Sequence, residues 1–218
     1  MLFEAGGSMT IGAGRMTYTT STTNNSFAAM PRNLPLLSVT NDWSLKVDAH
    51  LNAFAIVDEE QWCDLFLGFG KANGLVNDHV TFAYGRGFWA QGYEIQDAMR
   101  IGGNDAPELF TVKGFTSADV SLRLDYSAAN QFLTYYFDSD GAAYGHNWQA
   151  EGLVCLSNGV HNMNLSATDT FTLFWGHLRK TKPWISVTLT TGICGSQPMP
   201  RPPWIPALSV ILRIRRQC

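Results

Sequence analysis

WSLKVDAHL, residues 43–51, alternates without a break. Trp43, Leu45, Val47, Ala49 and Leu51 take one parity, and Ser44, Lys46, Asp48 and His50 take the other. Successive side chains of an extended chain point to opposite faces, so the segment reads as a strand with one face buried and one wet. VSLRLDY, residues 120–126, repeats the pattern with Val120, Leu122, Leu124 and Tyr126 against Ser121, Arg123 and Asp125. Residues 127–130 then turn, QFLTYYFD returns as a second strand, and Asp138-Ser139-Asp140-Gly141 carries the residues of a further reversal. A hairpin with strict alternation belongs to an antiparallel sheet that packs one face on a core and leaves the other to solvent.

Working outward, LFLGFG from Leu65, HVTFAYG from His79, GYEIQ from Gly92, MRIGG from Met99, ELFTVKG from Glu108 and DTFTLFWG from Asp169 all read as strands. Gly, Asn and Asp punctuate them at the spacing of sandwiches and barrels. SMTIGAGRMTYTT near the start reads as a strand pair or a bulged strand, followed by a polar loop. Only DEEQWCDLF, from Asp58, suggests a turn or two of helix, too short to be stable alone. The chain is therefore expected to be all-β, an antiparallel two-sheet jelly-roll β-sandwich, and 218 residues suffice for one such domain. Trp43, Leu45, Val47, Leu65, Leu67, Val80, Phe82, Leu122, Leu124, Phe171 and Leu173 are expected to line one core between the sheets.

Charged residues are 15% of the chain, against about 25% in an average soluble domain, while aromatics reach 12%. A net charge of −3 disfavours nucleic acid, which calls for a basic face against phosphates. No apolar run approaches the length that spans a bilayer, and MLFEAGGSMTIG lacks the basic and apolar regions of a secretory signal. Cys63, Cys155, Cys194 and Cys218 form no CxxC pair, so zinc is disfavoured; two disulfides in any of three pairings remain open beside buried free thiols. Asn24-Asn25-Ser26 and Asn164-Leu165-Ser166 are N-glycosylation tripeptides.

The chain changes character near Arg179. From there on it has no Asp or Glu but seven basic residues, and QPMPRPPWIP from Gln197 should lie in polyproline form. WISVTLTT and LSVILRIR still alternate. Residues 179–218 thus read either as an irregular crossover ending in a basic edge strand, or as a segment foreign to a domain spanning 1–178.

DWSLKVDAHL, LFLGFGK, DTFTLFWG and above all VSLRLDYSAANQFLTYYFDSDG, leading to Trp148, resemble the laminin G-like branch of the concanavalin A-like lectin/glucanase superfamily. The resemblance runs from Asp42 to Gly176, beyond which the sequence departs from it. It implies two curved sheets, often in a secreted or cell-surface protein, whose concave face or rim loops bind glycans. The superfamily also holds glycoside hydrolases and polysaccharide lyases, so fold does not settle chemistry.

No catalytic signature stands out. The Glu-x-Asp-x-Glu of a retaining glucanase is absent; Asp58 and Glu60 come nearest, and a solvated acidic loop is the better reading. Glu94 and Asp97 have opposite parity and do not converge. His50 and Lys46 share a strand face in the manner of a lyase base and cation, but an exposed sheet face carries such residues routinely. Asp138-Ser139-Asp140-Gly141 lacks the later ligands of a calcium loop and reads as a turn. No cofactor is therefore expected, with a rim calcium of the laminin G type as the alternative.

What remains is a non-catalytic carbohydrate-binding module, with a polysaccharide-degrading enzyme or an adhesive domain as rivals. Its partner is expected to be a glycan or polysaccharide. Tryptophan and tyrosine are natural sugar platforms because a flat apolar ring covers the C–H face of a pyranose while its polar tip stays wet. Trp43 and Trp175 fall on core parity. Trp89 lies in GRGFWAQG, and Tyr144, His146 and Trp148 follow the Asp140-Gly141 turn. These four, with Arg86 and Asn147 as hydroxyl partners, are the candidate binding residues. The plainer alternative is that Trp148 plugs the end of the core and Trp89 covers a sheet edge.

Overall fold

The computed structural model describes residues 3–5, 7–12, 15–20, 26–31, 36–51, 62–75, 77–87, 93–141, 144–180 and 208–211. Two antiparallel sheets face one another. The first contains β1 (Phe3–Ala5), β4 (Ser26–Pro31), β5 (Leu37–Ser38), β7 (Trp62–Lys71), β8 (His79–Gly87), β9 (Tyr93–Ile101), β10 (Asn104–Asp105), β11 (Thr111–Phe115) and β15 (Thr170–Lys180). They run in the order β1-β4-β15-β7-β8-β9-β10, with β11 also on β9 and β5 on β15. The second contains β2 (Gly7–Gly12), β3 (Arg15–Thr20), β6 (Trp43–His50), β12 (Asp119–Ser127), β13 (Phe132–Asp138), β14 (Gln149–Cys155) and β16 (Leu208–Ile211), in the order β14-β13-β12-β6-β16-β3-β2. This is a concanavalin A-like jelly-roll sandwich.

The alternation in β6 and β12 is realised residue by residue. Leu122 pairs with Val47 on one side and Phe137 on the other, and Leu124 with Leu45 and Tyr135, so apolar rows cross three strands on one face. Leu45, Val47, Leu65, Leu67, Val80, Phe82, Leu122, Leu124, Phe171 and Leu173 are all buried in a single cluster, and Trp43 packs against it half-buried. Aromatics close one end of that cluster: Trp43 stacks on Tyr126 at 5.3 Å and meets Phe69 and Phe171 edge-on at 5.1 and 5.9 Å. Such edge-to-face contacts place the positive ring edge on a negative ring face.

The neighbouring strands of the same sheet explain Gly68, where a Cβ would come within 2.5 Å of the Phe174 ring on β15 and the Val80 carbonyl on β8. Cys63 is buried and Cys155 half-buried; Cys194 and Cys218 lie outside the described residues. Among the described residues no helix is long and apolar enough to cross a membrane.

Several sequence expectations change. Within DEEQWCDLF, the described part from Trp62 onward is extended, not helical, because Cys63, Leu65 and Leu67 all enter the core as β7. GYEIQ and MRIGG are one strand, β9, since buried Asp97 and exposed Ala98 between them continue the alternation of burial. The strand at 208–211 is interior rather than an edge: β16 pairs with β6 on one side and β3 on the other. SMTIGAGRMTYTT does form a strand pair, β2 with β3. WISVTLTT lies outside the described residues.

One carboxyl breaks the apolar rule. Asp97 is 2% exposed on the core face of β9. Its Oδ1 accepts the N–H of Leu109 at 2.9 Å and of Phe110 at 3.1 Å, while Oδ2 and the nearby buried Tyr135 hydroxyl have no hydrogen-bond partner among the described residues. Burial pushes the Asp97 carboxyl above the usual range, and the two N–H donors offset this only in part. The folded state therefore keeps this proton at pH values where the unfolded chain has lost it, so this group's contribution to stability falls as pH rises above the unfolded value of about 3.9.

Two predictions follow from this core. Leu122, 1% exposed at the centre of the shared face, contributes on the order of 1.5–3 kcal/mol by its burial, so Leu122→Asp, which also buries an unpaired charge, is expected to abolish the cooperative urea transition. Asp97→Asn keeps an acceptor for both N–H groups and removes the ionisation, so it should match the parent near pH 4 and exceed it in stability near pH 7. Urea midpoints measured across that range test it; a difference independent of pH rejects the assignment.

Candidate functional site

The polar parity of the second sheet gathers on its outer face. In register across β6, β12 and β13 lie Lys46, Arg123 and Tyr136, and beside them Asp48, Ser121 and Asp138. At the ends of these rows His50 Nδ1 meets Asp119 at 2.8 Å, and Arg123 forms a two-point ion pair with Asp125. Residues 144–148 fold back over the two rows.

The loop is held by a buried carboxylate. Asp138, 2% exposed, accepts the Asn147 N–H at 2.8 Å through Oδ2 and the Asp140 N–H at 3.4 Å through Oδ1. Gly141, at φ 69°, makes the reversal that brings the chain back. Its hydrogen takes the place of a side chain that would be strained in this left-handed region. Asp140 is fully exposed, and its hydrogen bond with the Asp138 carboxylate pushes its carboxyl up.

Trp148 then lies over cations. Lys46 Nζ is 5.4 Å and the Arg123 guanidinium carbon 5.7 Å from its ring centre, and Arg123 also lies 4.9 Å from the Tyr136 ring. The His146 imidazole stacks on Trp148 at 4.7 Å and 23°. Its Nε2 and Nδ1 each stand 3.9 Å from a carboxylate oxygen, of Asp48 and Asp138 respectively. Ser121, fully buried here, donates its hydroxyl to Asp48 at 2.6 Å. Tyr144 at the loop's start is 88% exposed, and Asn147 is exposed as well.

This arrangement differs from a hydrolytic centre. The Ser121 hydroxyl donates to the Asp48 carboxylate and not to an imidazole, unlike the nucleophile of a serine–histidine pair. The space between Asp48 and Asp138 holds the His146 ring, where a carboxylate pair acting on a glycosidic bond would admit substrate. His50 is engaged with Asp119. Glu94 and Asp97 do take opposite faces of β9. Asp58 and Glu60 lie outside the described residues.

Among the described residues no three His, Cys, Asp or Glu side chains are grouped to hold a metal ion, and both oxygens of Asp138 already serve backbone N–H groups.

Of the six sequence candidates, Tyr144, His146, Asn147 and Trp148 come together on this loop. Arg86 belongs to β8 of the other sheet, and its side chain, like all of Trp89, lies outside the described residues. Trp148 is not a plug of the core: it sits on the outer sheet face, against Lys46 and Arg123. Sequence reasoning missed Asp48, Ser121, Arg123, Tyr136 and Asp138 as its floor. Their shared parity was visible, but its meaning required the cross-strand register that sets them in rows.

The sequence matches no family model and no curated protein. In fold, the chain is similar to the Emp46p carbohydrate recognition domain in its potassium-bound form, at 11% identity and a TM-score of 0.57, covering 82% of this chain and 81% of that one. The metal-free form of the same domain gives 12% identity and a TM-score of 0.54 over 81% and 80% of the two chains. A functionally unknown protein from Saccharomyces cerevisiae aligns at 11% identity with a TM-score of 0.50, over 84% of this chain and 96% of that one. At these identities the likeness establishes the fold alone, a concanavalin A-like jelly-roll sandwich.

Proposed function

We propose that the chain is a non-catalytic carbohydrate-binding module that takes its glycan on the 144–148 loop. The observation that carries this reading is Tyr144: an aromatic ring 88% exposed, on a loop fixed to the sheet through the buried Asp138. A flat ring presented rigidly stacks on a pyranose without first being ordered, which spares the entropy a mobile loop loses on binding. The exposed Asn147 amide offers both a donor and acceptors to sugar hydroxyls. The similarity in fold to a carbohydrate recognition domain agrees with this use of the scaffold. A secreted or cell-surface setting and kinship with the laminin G-like branch belong to the same reading, on the strength of the strands that suggested them.

Screening on a glycan array, followed by titration of the best ligand, tests the proposal. Tyr144→Ala should weaken binding roughly tenfold, about 1.4 kcal/mol, with the thermal transition unchanged. Trp148→Ala should weaken binding too, but at a cost of only about 0.5–2 kcal/mol in stability, because it forfeits cation–π and stacking contacts on a sheet surface. Trp175→Ala, in the core, should cost about 3–5 kcal/mol. Unchanged affinity in a folded Tyr144→Ala protein removes this site, and turnover of a polysaccharide panel lost in an Asp48 or His50 variant replaces the binding reading with an enzymatic one.

A further inference from the structure

Asn164-Leu165-Ser166 sits in the loop between the 3-10 turn Gly159–His161 and β15. The loop is fastened on both sides of the asparagine. Met163 is buried and Leu165 packs against the core cluster, so the side chains flanking Asn164 point inward and Asn164 itself is exposed. The main chain is equally fixed: the Asn164 N–H donates to Asn162 Oδ1 at 2.8 Å, Lys71 Nζ donates to the Asn164 carbonyl at 3.2 Å, and the Ser166 N–H donates to Asp169 Oδ2 at 2.8 Å. Lys71 in turn pairs with Asp169 at 3.2 Å. Asn164 adopts φ 49°, a left-handed conformation that Asn tolerates better than most residues.

Every polar contact in this stretch thus runs through its backbone or its neighbours. The Asn164 carboxamide makes no hydrogen bond among the described residues and faces solvent.

We propose that Asn164 is a site of N-linked glycosylation. The tripeptide has Leu rather than Pro at its middle position and a hydroxyl residue at its third, and Ser166 is exposed, with its hydroxyl 3.1 Å from that of Thr168. The co-substrate is an oligosaccharide carried on a lipid diphosphate. The Asn164 Nδ2 bonds to the anomeric carbon of the sugar, and the bond from that carbon to the diphosphate oxygen breaks. The lipid diphosphate leaves with the bonding pair, and the amide gives up one proton. The folded domain accommodates the product without losing a contact, because the modified atom already projects into solvent while the loop's anchors are its neighbours.

The test is cell-free translation of the full chain, behind a cleavable secretory leader, with microsomes that supply the transferase and its lipid-linked donor. Mobility on a denaturing gel before and after peptide-N-glycosidase reads the glycan without requiring native folding. Asn164→Gln and Ser166→Ala should each lose one glycan step, Ser166→Thr should keep it, and Asn24→Gln should leave the Asn164 step in place. A parent chain with no glycosidase-sensitive step, or one whose number of such steps Asn164→Gln leaves unchanged, overturns the proposal.

Discussion

The register of β12 between β6 and β13 is the constraint from which both faces of the second sheet follow. Leu122 and Leu124 stand opposite apolar partners on either side, and the residues between them stand opposite polar ones. Because the strand period is two, a slip of one residue would bury Arg123 and expose Leu122 together. The core thereby selects the arrangement of the outer face, and Lys46, Arg123 and Tyr136 are aligned beneath Trp148 as a result of packing that none of them joins.

Two buried carboxyl groups show how the fold uses polar atoms in different ways. Asp97 faces the core, satisfies the Leu109 and Phe110 amides with one oxygen, and favours its protonated form. Asp138 is just as buried but lies on the outer face, where the returning loop both covers it and supplies its N–H donors. The first ties β9 to the approach of β11. The second converts a hairpin end into a fixed platform for Tyr144 and Trp148.

Much of the fold is legible in the sequence because alternation is a local property. WSLKVDAHL and VSLRLDY name their own buried residues, and their partners follow from the hairpin that joins VSLRLDY to QFLTYYFD. Reading failed where tertiary context overruled local preference. The acidic approach to Trp62 looks helical, yet Cys63, Leu65 and Leu67 are drawn into the core as a strand. The candidate loop was found through its aromatics and its turn, but Asp48 lies 73 residues before Ser121 of the hairpin that also carries Asp138, and only the pairing of the strands reveals a common floor. Trp148 was ambiguous for a related reason, since a tryptophan over two cations and a tryptophan in a core look alike in a sequence.

Both sheets are bridged by strands that occur late in the chain. β15 lies between β4 and β7, and β16 lies between β3 and β6, so in each sheet a C-terminal strand joins N-terminal strands to the body. During synthesis, at about 5–20 residues per second, the outer edges of β6 and β7 wait for neighbours more than 90 residues downstream on the ribosome. Open strand edges are templates for pairing with other chains. The nascent protein therefore passes through an interval in which those edges lack the hydrogen bonds that later cover them, and ribosome pausing within β15 or before β16 lengthens that exposure.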